Sequence, residues 1–379
     1  MTRRRRRAAG LTLLALLAVG WGVGQMLRDA DPPNLFVEAP ARAEVGATFE
    51  VRLSADEPAR YHVTYAGTTL SAVEYAWTAT PVAAPGLQEL HVVAEDGAGN
   101  RSEVRRTVEG IVPADVTPRV VGGARPGAPF HVALDVTPVD APLADLTVVV
   151  DGEARVVHRD AGGLVAFGAV PLRRDAGRLD GVVTWRDALE RDRVRAFAIP
   201  FGPLDTPHQD LNVDAGTLSV ITPEARALEA RRLAAATADP RDPPRWRAPF
   251  RLPIEGRGTS GFATSRTYAP GGPVSFHVGE DVAVPTGTPV AATNDGVVRL
   301  AEDLPIKGGT VILDHGAGVT SRHYHLSAIA VQAGDAIAAG EILGEVGNTG
   351  LSTGPHLHWE MRVDGRPSDP MAWVDRTRP

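Results

Sequence analysis

A chain of 379 residues with an apolar fraction of 43% is long enough for roughly two or three domains, each with a core of its own. Its formal charge of −7 offers no footprint for nucleic acid, because the one dense basic run, Arg3 to Arg7, abuts an apolar segment. Cysteine is absent, which excludes disulfides, thiolate metal sites, cysteine nucleophiles and cysteine-linked lipid anchors, so any metal must be held by His, Asp or Glu.

No charged residue occurs from Ala8 to Leu27. As a helix this stretch would span about 30 Å, enough for the hydrocarbon core of a bilayer. Five arginines precede it and Arg28 follows, so the positive-inside rule keeps the arginine end in the cytoplasm and sends the rest across the membrane. Residues 1–28 are thus expected to be an anchor with its span at 8–27. The rival is a cleaved signal peptide ending at Ala18-Val19-Gly20; both readings place the bulk of the chain outside the cytoplasm.

Strand patterning starts after the Asp31-Pro32-Pro33 spacer. Gly46-Ala47-Thr48-Phe49-Glu50-Val51-Arg52-Leu53 reappears as Gly127-Ala128-Pro129-Phe130-His131-Val132-Ala133-Leu134, an offset of 81 residues with the same apolar alternation. With turn signals at Asp96-Gly97 and Asp151-Gly152, the repeat predicts two successive β-sandwich modules at 34–112 and 114–201. The stretch Val92 to Asn100 resembles the late-strand and turn region of bacterial immunoglobulin-like (Ig-like) and fibronectin-like modules. A spacer and a carbohydrate- or protein-binding module are the two roles open to them; no aromatic cluster or acidic calcium box favours binding.

Strand patterning stops over 202–248. Thr222-Pro223-Glu224 supplies a capping hydroxyl, a proline at the first helical position and an early acid, and an alanine- and arginine-rich run continues to about Thr237, where Asp239-Pro240 ends it. The segment reads as a hinge with one helix, and a helix lying over a C-terminal site until displaced is the functional alternative. Beyond residue 249 glycine-rich turns and short strands return, with Asp295-Gly296 expected as a hairpin turn, and they predict a compact all-β domain over 249–379. The fold class is mainly β.

Six of the eleven histidines fall in this last domain: His277, His315, His323, His325, His356 and His358. In Gly354-Pro355-His356-Leu357-His358-Trp359-Glu360 strand alternation points His356 and His358 the same way and Leu357 into the opposite layer, so that one histidine can bind a metal while the other acts on substrate. His277 and Asp281 share parity in the same manner. His323 shares a face with His325 if Ser321 to Ser327 is extended; an exposed imidazole is the expectation for it, and lining the groove the alternative. His315, in Asp314-His315-Gly316, reads as a structural turn residue, Glu280 as a surface residue, Trp359 as core, and Glu360 as a candidate to orient an imidazole.

Together these motifs resemble the lysostaphin/LytM-type zinc endopeptidases, which hydrolyse peptide bonds in bacterial cell walls. The resemblance runs from about Gly261 to Trp373 through His277-Val278-Gly279-Glu280-Asp281, Asp295-Gly296-Val297-Val298, Val311 to Gly316, His325-Leu326-Ser327, Gly334-Asp335, Gly340 with Ile342-Leu343-Gly344, and Ser352 to His358. It implies His277, Asp281 and His358 as ligands of one Zn2+ and His325 and His356 as catalytic histidines, with Arg266 near the groove. Two imidazoles and one carboxylate leave a fourth position for water, the pattern of a catalytic zinc. The function implied is zinc-dependent cleavage of peptidoglycan, with the wall, the membrane through 8–27, and proteins of division or wall synthesis as candidate partners. The alternative is a non-catalytic or autoinhibited wall-binding protein that activates other hydrolases. A biotinyl or lipoyl carrier, suggested by Val331 to Gly344, fails because the sole lysine, Lys307, lies outside that segment. No His-Glu-x-x-His or Gly-x-Ser-x-Gly motif occurs.

Overall fold

The computed structural model describes residues 30–211, 213, 215–267 and 272–378. The apolar span expected at 8–27 lies outside the described residues, among which no helix is long and apolar enough to cross a membrane. The chain is mainly β, with few helices. It divides into two compact units, the first holding the described residues to Ala114 with Asp140–Leu143 and Arg186–Arg191, and the second holding Asp115–Val139, Ala144–Trp185 and Asp192 onward.

In the first unit alternation drives six strands into one sheet: β1 (Phe36–Glu38), β2 (Arg42–Glu44), β3 (Val51–Tyr65), β4 (Thr68–Ala79), β5 (Gly86–Glu95) and β6 (Arg101–Ile111), in the order β1-β3-β5-β6-β2 with β4 on β3. Val51, Leu53, Tyr61, Val63 and Tyr65 of β3 bury one set of alternate positions against Leu90, Val92 and Ala94 of β5. The turn at Asp96 joins β5 to β6 as expected, and its carboxylate accepts the Ala98 and Asn100 amides at 2.8 Å each.

The 81-residue repeat recurs as a hydrogen-bonding device. Gly46 and Gly127 both have positive φ, +83° and +76°, and both stand just ahead of a strand. Gly46 N donates to Ala83 O and Ala83 N returns to Ala47 O; Gly127 N donates to Val170 O and Val170 N returns to Ala128 O. Glycine adopts this left-handed backbone without a Cβ penalty.

The second unit opens with two four-stranded sheets. Strands β7 (Asp115–Gly122), β8 (Pro129–Thr137), β11 (His158–Asp160) and β12 (Gly163–Ala169) run in the order β11-β12-β8-β7, and β9 (Leu143–Val150), β10 (Glu153–Arg155), β13 (Gly177–Asp187) and β14 (Asp192–Phe201) in the order β10-β9-β13-β14. Asp151 and Gly152, both at positive φ, make the two-residue turn between β9 and β10 that their sequence announced.

Strands β15 (His208–Asp210), β17 (Ser265–Thr267) and β18 (Ser275–Phe276) form a small sheet. The last and largest sheet contains β16 (Arg257–Ser260), β19 (Glu280–Ala283), β20 (Pro289–Ala291), β21 (Gly296–Leu304), β22 (Gly308–Asp314), β23 (Val319–Ile329), β24 (Ala336–Ile337), β25 (Ile342–Val346), β26 (Leu357–Val363) and β27 (Arg366–Ser368). Its main path is β16-β19-β26-β23-β22-β21-β24, and β25 links β20 to β23. Trp246, Phe250, Leu313, Leu326, Leu357, Trp359 and Trp373 make its core, and Phe167 of β12 enters the same cluster with its ring 5.5 Å from Trp246. Arg155 of β10 reaches Asp364 at 2.7 Å, so within the second unit β10 and β12 are joined to the last sheet by ionic and apolar contacts alike.

Two local expectations are corrected here. Asp295-Gly296 joins no paired strands, since β20 pairs with β25 and β21 with β22 and β24. Instead the Asp295 carbonyl accepts His315 Nδ1–H at 2.7 Å and its carboxylate accepts the Ala339 amide at 2.8 Å, which stabilises a crossing between strands. The linker is not a free hinge either. Its helix, Pro223–Ala235, is capped by Thr222 Oγ1 as expected, but Leu233 and Ala236 pack on Leu300, Leu304 and Ile312 of β21 and β22. It lies on β21 and β22 rather than as a detached connector, because their leucines need cover from water.

Candidate active site

Strand pairing brings the predicted ligands together. Asp281 of β19 stands opposite His358 of β26, and His277 arrives four residues before Asp281. His277 Nε2, His358 Nδ1 and Asp281 Oδ1 converge, with separations of 2.9 Å between the nitrogens and 3.1 and 2.7 Å to the oxygen. All three residues are buried, and they form a cluster able to hold a metal ion. Gly279 permits the approach of β19 to β26: a Cβ there would sit 2.4 Å from Trp359 O and 2.8 Å from His358 Nε2.

Each ligand is held from behind. His277 Nδ1–H donates to Gly261 O at 3.1 Å and His358 Nε2–H to Glu360 Oε1 at 3.2 Å, so the free lone pair of each imidazole faces the cluster. Arg266 Nη2 donates to Asp281 Oδ2 at 2.7 Å, which gives that arginine a place against the metal cluster. Burial opposes charge on Asp281, but its bonds to His277 and His358 outweigh it and hold the carboxyl far below the usual carboxylate range. Burial likewise works against a charged His358, yet Asp281 and Glu360 raise its pKa, whereas burial dominates at His277 and lowers it.

The other two predicted histidines flank this cluster. His356 lies just ahead of β26, its Nε2 3.8 Å from Asp281 Oδ1 and its Nδ1–H donating to Gly354 O at 2.8 Å. The His325 ring centroid is 4.8 Å from that of His356 and 6.1 Å from that of His358, and its Nδ1–H donates to Thr349 O at 2.8 Å. In both rings the carbonyl fixes the tautomer and leaves Nε2 as an acceptor. Burial, with the positive potential of His358 and His356, pushes His325 down to about 3, so it is a neutral base in neutral solution.

Strand parity alone misplaces the neighbours of His325. The β22–β23 register shifts between Val311, opposite His323, and Gly309, opposite Leu326, so Tyr324 and His325 together face one residue. His325 takes φ +61°, a left-handed conformation rare outside glycine, and this bulge re-aims its ring. Tyr324, opposite His358 in register, stacks on the His358 ring at 5.6 Å. His323 is therefore neither exposed nor in the groove. It stands opposite Trp359, fully buried, with neither ring nitrogen hydrogen-bonded, and burial lowers its pKa to about 3. His315 is structural, donating to Asp295 O and accepting from Ser321 Oγ at 2.8 Å. Glu280 is half-buried rather than a surface residue, because its carboxylate accepts the Phe262 amide at 2.8 Å, and burial raises its pKa.

The structure adds Lys307, whose Nζ lies 3.5 Å from Glu360 Oε1 and 4.5 Å above the Tyr324 ring. Glu360 and Lys307 thus form a buried ionic support beneath His358, extended by Arg362 Nε at 2.8 Å from Glu360 Oε2. Its one sequence signal was that the chain has a single lysine.

The model of peptidase family M23 matches residues 275–370, the segment that carries all five groups. The C-terminal domain is an M23 peptidase domain. Over 127 residues the chain is 41% identical to the peptidoglycan DD-endopeptidase ShyA of Vibrio cholerae serotype O1, covering 33% of this chain and 30% of that protein. Over 97 residues it is 45% identical to the DD-carboxypeptidase/endopeptidase Mpg of Neisseria meningitidis serogroup B, covering 26% and 22% respectively. The chain therefore spans less than a third of either relative. Among solved structures, a putative M23 peptidase from Pseudomonas aeruginosa is 28% identical, with 66% of this chain and 94% of that one covered at a TM-score of 0.47. The M23 match accounts for the C-terminal domain; the β-rich region before it is matched by no part of that family model.

Proposed function

We propose that the protein is a zinc-dependent endopeptidase that hydrolyses peptide bonds of bacterial peptidoglycan. The observation that carries this reading is the convergence of His277, Asp281 and His358 in one donor cluster with the free Nε2 atoms of His325 and His356 beside it. The names of the relatives, peptidoglycan DD-endopeptidase and DD-carboxypeptidase/endopeptidase, support the substrate class.

The donor set fits zinc. Tetrahedral ligands about 2.0–2.1 Å from the ion lie about 3.3 Å apart, and the three donors stand at 2.9, 3.1 and 2.7 Å, so each pair opens by a few tenths of an ångström. Two neutral imidazoles and a carboxylate suit a catalytic site. When bound, zinc supplies an acidified water and polarises the scissile carbonyl. His356 Nε2, nearer the cluster, would take the proton of the attacking water and pass it to the leaving amine, while the neutral His325, its Nδ1–H held by Thr349 O, would offer Nε2 as an acceptor beside it. Arg266 and Glu360 hold Asp281 and His358 in place while the substrate is positioned.

In this reading residues 1–28 export the chain, as an uncleaved anchor or a cleaved signal, and the catalytic domain works outside the cytoplasm. Residues 34–112 and 114–201 are Ig-like modules, 202–248 the linker and 249–379 the peptidase domain. Release of new amino groups from purified peptidoglycan by the full chain is the test. Release is expected to disappear in His356→Ala and with chelator, and to return when zinc is restored to the wild type. Wild-type protein that takes up zinc yet releases no amino groups would overturn the reading.

A further inference from the structure

Glu229 stands outside the family-matched segment, yet its carboxylate is buried against the catalytic domain. Oε1 accepts the Ile306 amide at 2.6 Å and the Lys307 amide at 2.9 Å, at the tip of the β21–β22 hairpin. The tip in turn carries the site. Lys307 O accepts the His325 amide at 2.9 Å, and Ile306 O accepts the Leu351 amide at 2.7 Å. The loop holding Leu351 also holds Thr349, whose carbonyl takes the His325 ring proton and whose Oγ1 accepts the Gly309 amide at 3.0 Å. Both anchors of His325, main-chain and ring, thus rest on parts that the hairpin tip locks together.

That arrangement answers a physical need. A histidine at φ +61° is strained, and such a conformation persists only where its surroundings over-determine it. We propose that Glu229 of the linker helix is a positioning residue for His325, so that docking of this helix assembles the catalytic groove. The helix then promotes turnover, in contrast to a cover whose removal would release it. Arg232 of the same helix pairs at 3.2 Å with Glu302 of β21 in a largely exposed ion pair that adds little to docking and makes no contact with the tip.

This inference rests on the hydrolase reading for its kinetic arm only. In the full chain, Glu229→Ala is expected to speed hydrogen exchange at the His325 and Leu351 amides by about tenfold or more, since the Ile306 and Lys307 amides lose their acceptor and the tip whose carbonyls hold His325 and Leu351 is loosened. On a soluble cross-linked peptidoglycan fragment, kcat is expected to fall about ten- to a hundredfold with KM within about twofold. Zinc affinity, read by chelator competition, is expected to hold. Glu229→Gln, which keeps the accepting oxygen, is expected to restore both exchange and kcat, and Arg232→Ala to leave both near wild type. If Glu229→Ala does not fold, Glu229→Asp, which retracts the oxygen by one methylene, makes the same comparison. Unchanged exchange at His325 and Leu351, or a rise in turnover on loss of Glu229, would overturn the proposal. A wild-type chain without turnover sinks the hydrolase reading, while exchange still decides this one.

Discussion

Replacing Glu360 by alanine removes a fully buried carboxylate that answers three neighbours at once, His358, Lys307 and Arg362. Burial opposes its charge, but Arg362, Lys307 and His358 hold its pKa well below the usual glutamate range, so it is ionised in the folded protein at neutral pH. Taking one partner out of a buried ionic network costs about 3–5 kcal/mol. Two residual contacts soften the loss: Arg362 still donates to Gly365 O at 2.9 Å, and Lys307 still lies 4.5 Å above the Tyr324 ring. The expected loss is therefore at the low end, about 3 kcal/mol, or a fall in Tm of about 6–12 °C for a unit of this size. His358 also loses the acceptor that keeps Nε2 protonated and Nδ1 free, which is expected to weaken zinc binding about 10- to 100-fold. Calorimetry and chelator competition on the purified chain read the two effects separately, and Glu360→Gln, which keeps the shape and one acceptor, should fall between. A Tm and a zinc affinity both unchanged in Glu360→Ala would refute the view that this network holds His358.

Gly279→Ala is expected to displace β19 from β26, because the added Cβ meets a backbone oxygen at 2.4 Å. Overpacking of this kind costs about 1–3 kcal/mol, and zinc affinity should drop with it; a variant with wild-type zinc affinity would show that the strands part without moving His358. His323→Phe is expected to raise Tm by removing two buried ring nitrogens without partners, and to leave turnover unchanged, as measured by thermal melts and amino-group release. The same histidine sets a pH dependence. With folded pKa values of about 3 for His323 and about 4 for His315, the unfolded chain binds more protons below the free histidine value of about 6.5. Stability is therefore complete above about pH 6.5 and declines on acidification by about 1.4 kcal/mol per pH unit for each group. Melts across pH 4–7 should show a shallower slope in His323→Phe, and equal slopes would remove His323 from the account.

Much of the site was legible because strand periodicity is a local property. Leu357 enters the core and the next residue of β26, His358, faces the cluster, as alternation gives; the parity of His277 with Asp281 does not explain their 3.1 Å approach, because an extended run of four residues spans about 13 Å and His277 precedes β19, where the chain turns. The turn at Asp151-Gly152 and the helix start at Thr222 follow from the same kind of short-range chemistry. Parity failed at His323 and His325, since it presumes an unbroken strand and Tyr324 with His325 forms a bulge opposite the single residue Thr310.

The sequence by itself determined the strand pattern, the 81-residue repeat and the donor residues, all written in spacings of a few residues or in a direct repeat. Only the tertiary structure decided what stands behind those donors. Arg266 on Asp281, Lys307 beneath Glu360, the bulge at His325 and Glu229 at the hairpin tip join segments 15 to 78 residues apart. No local rule specifies such pairings, because they arise where separate strands and a helix bury polar groups together and each group must find a partner the interior makes available.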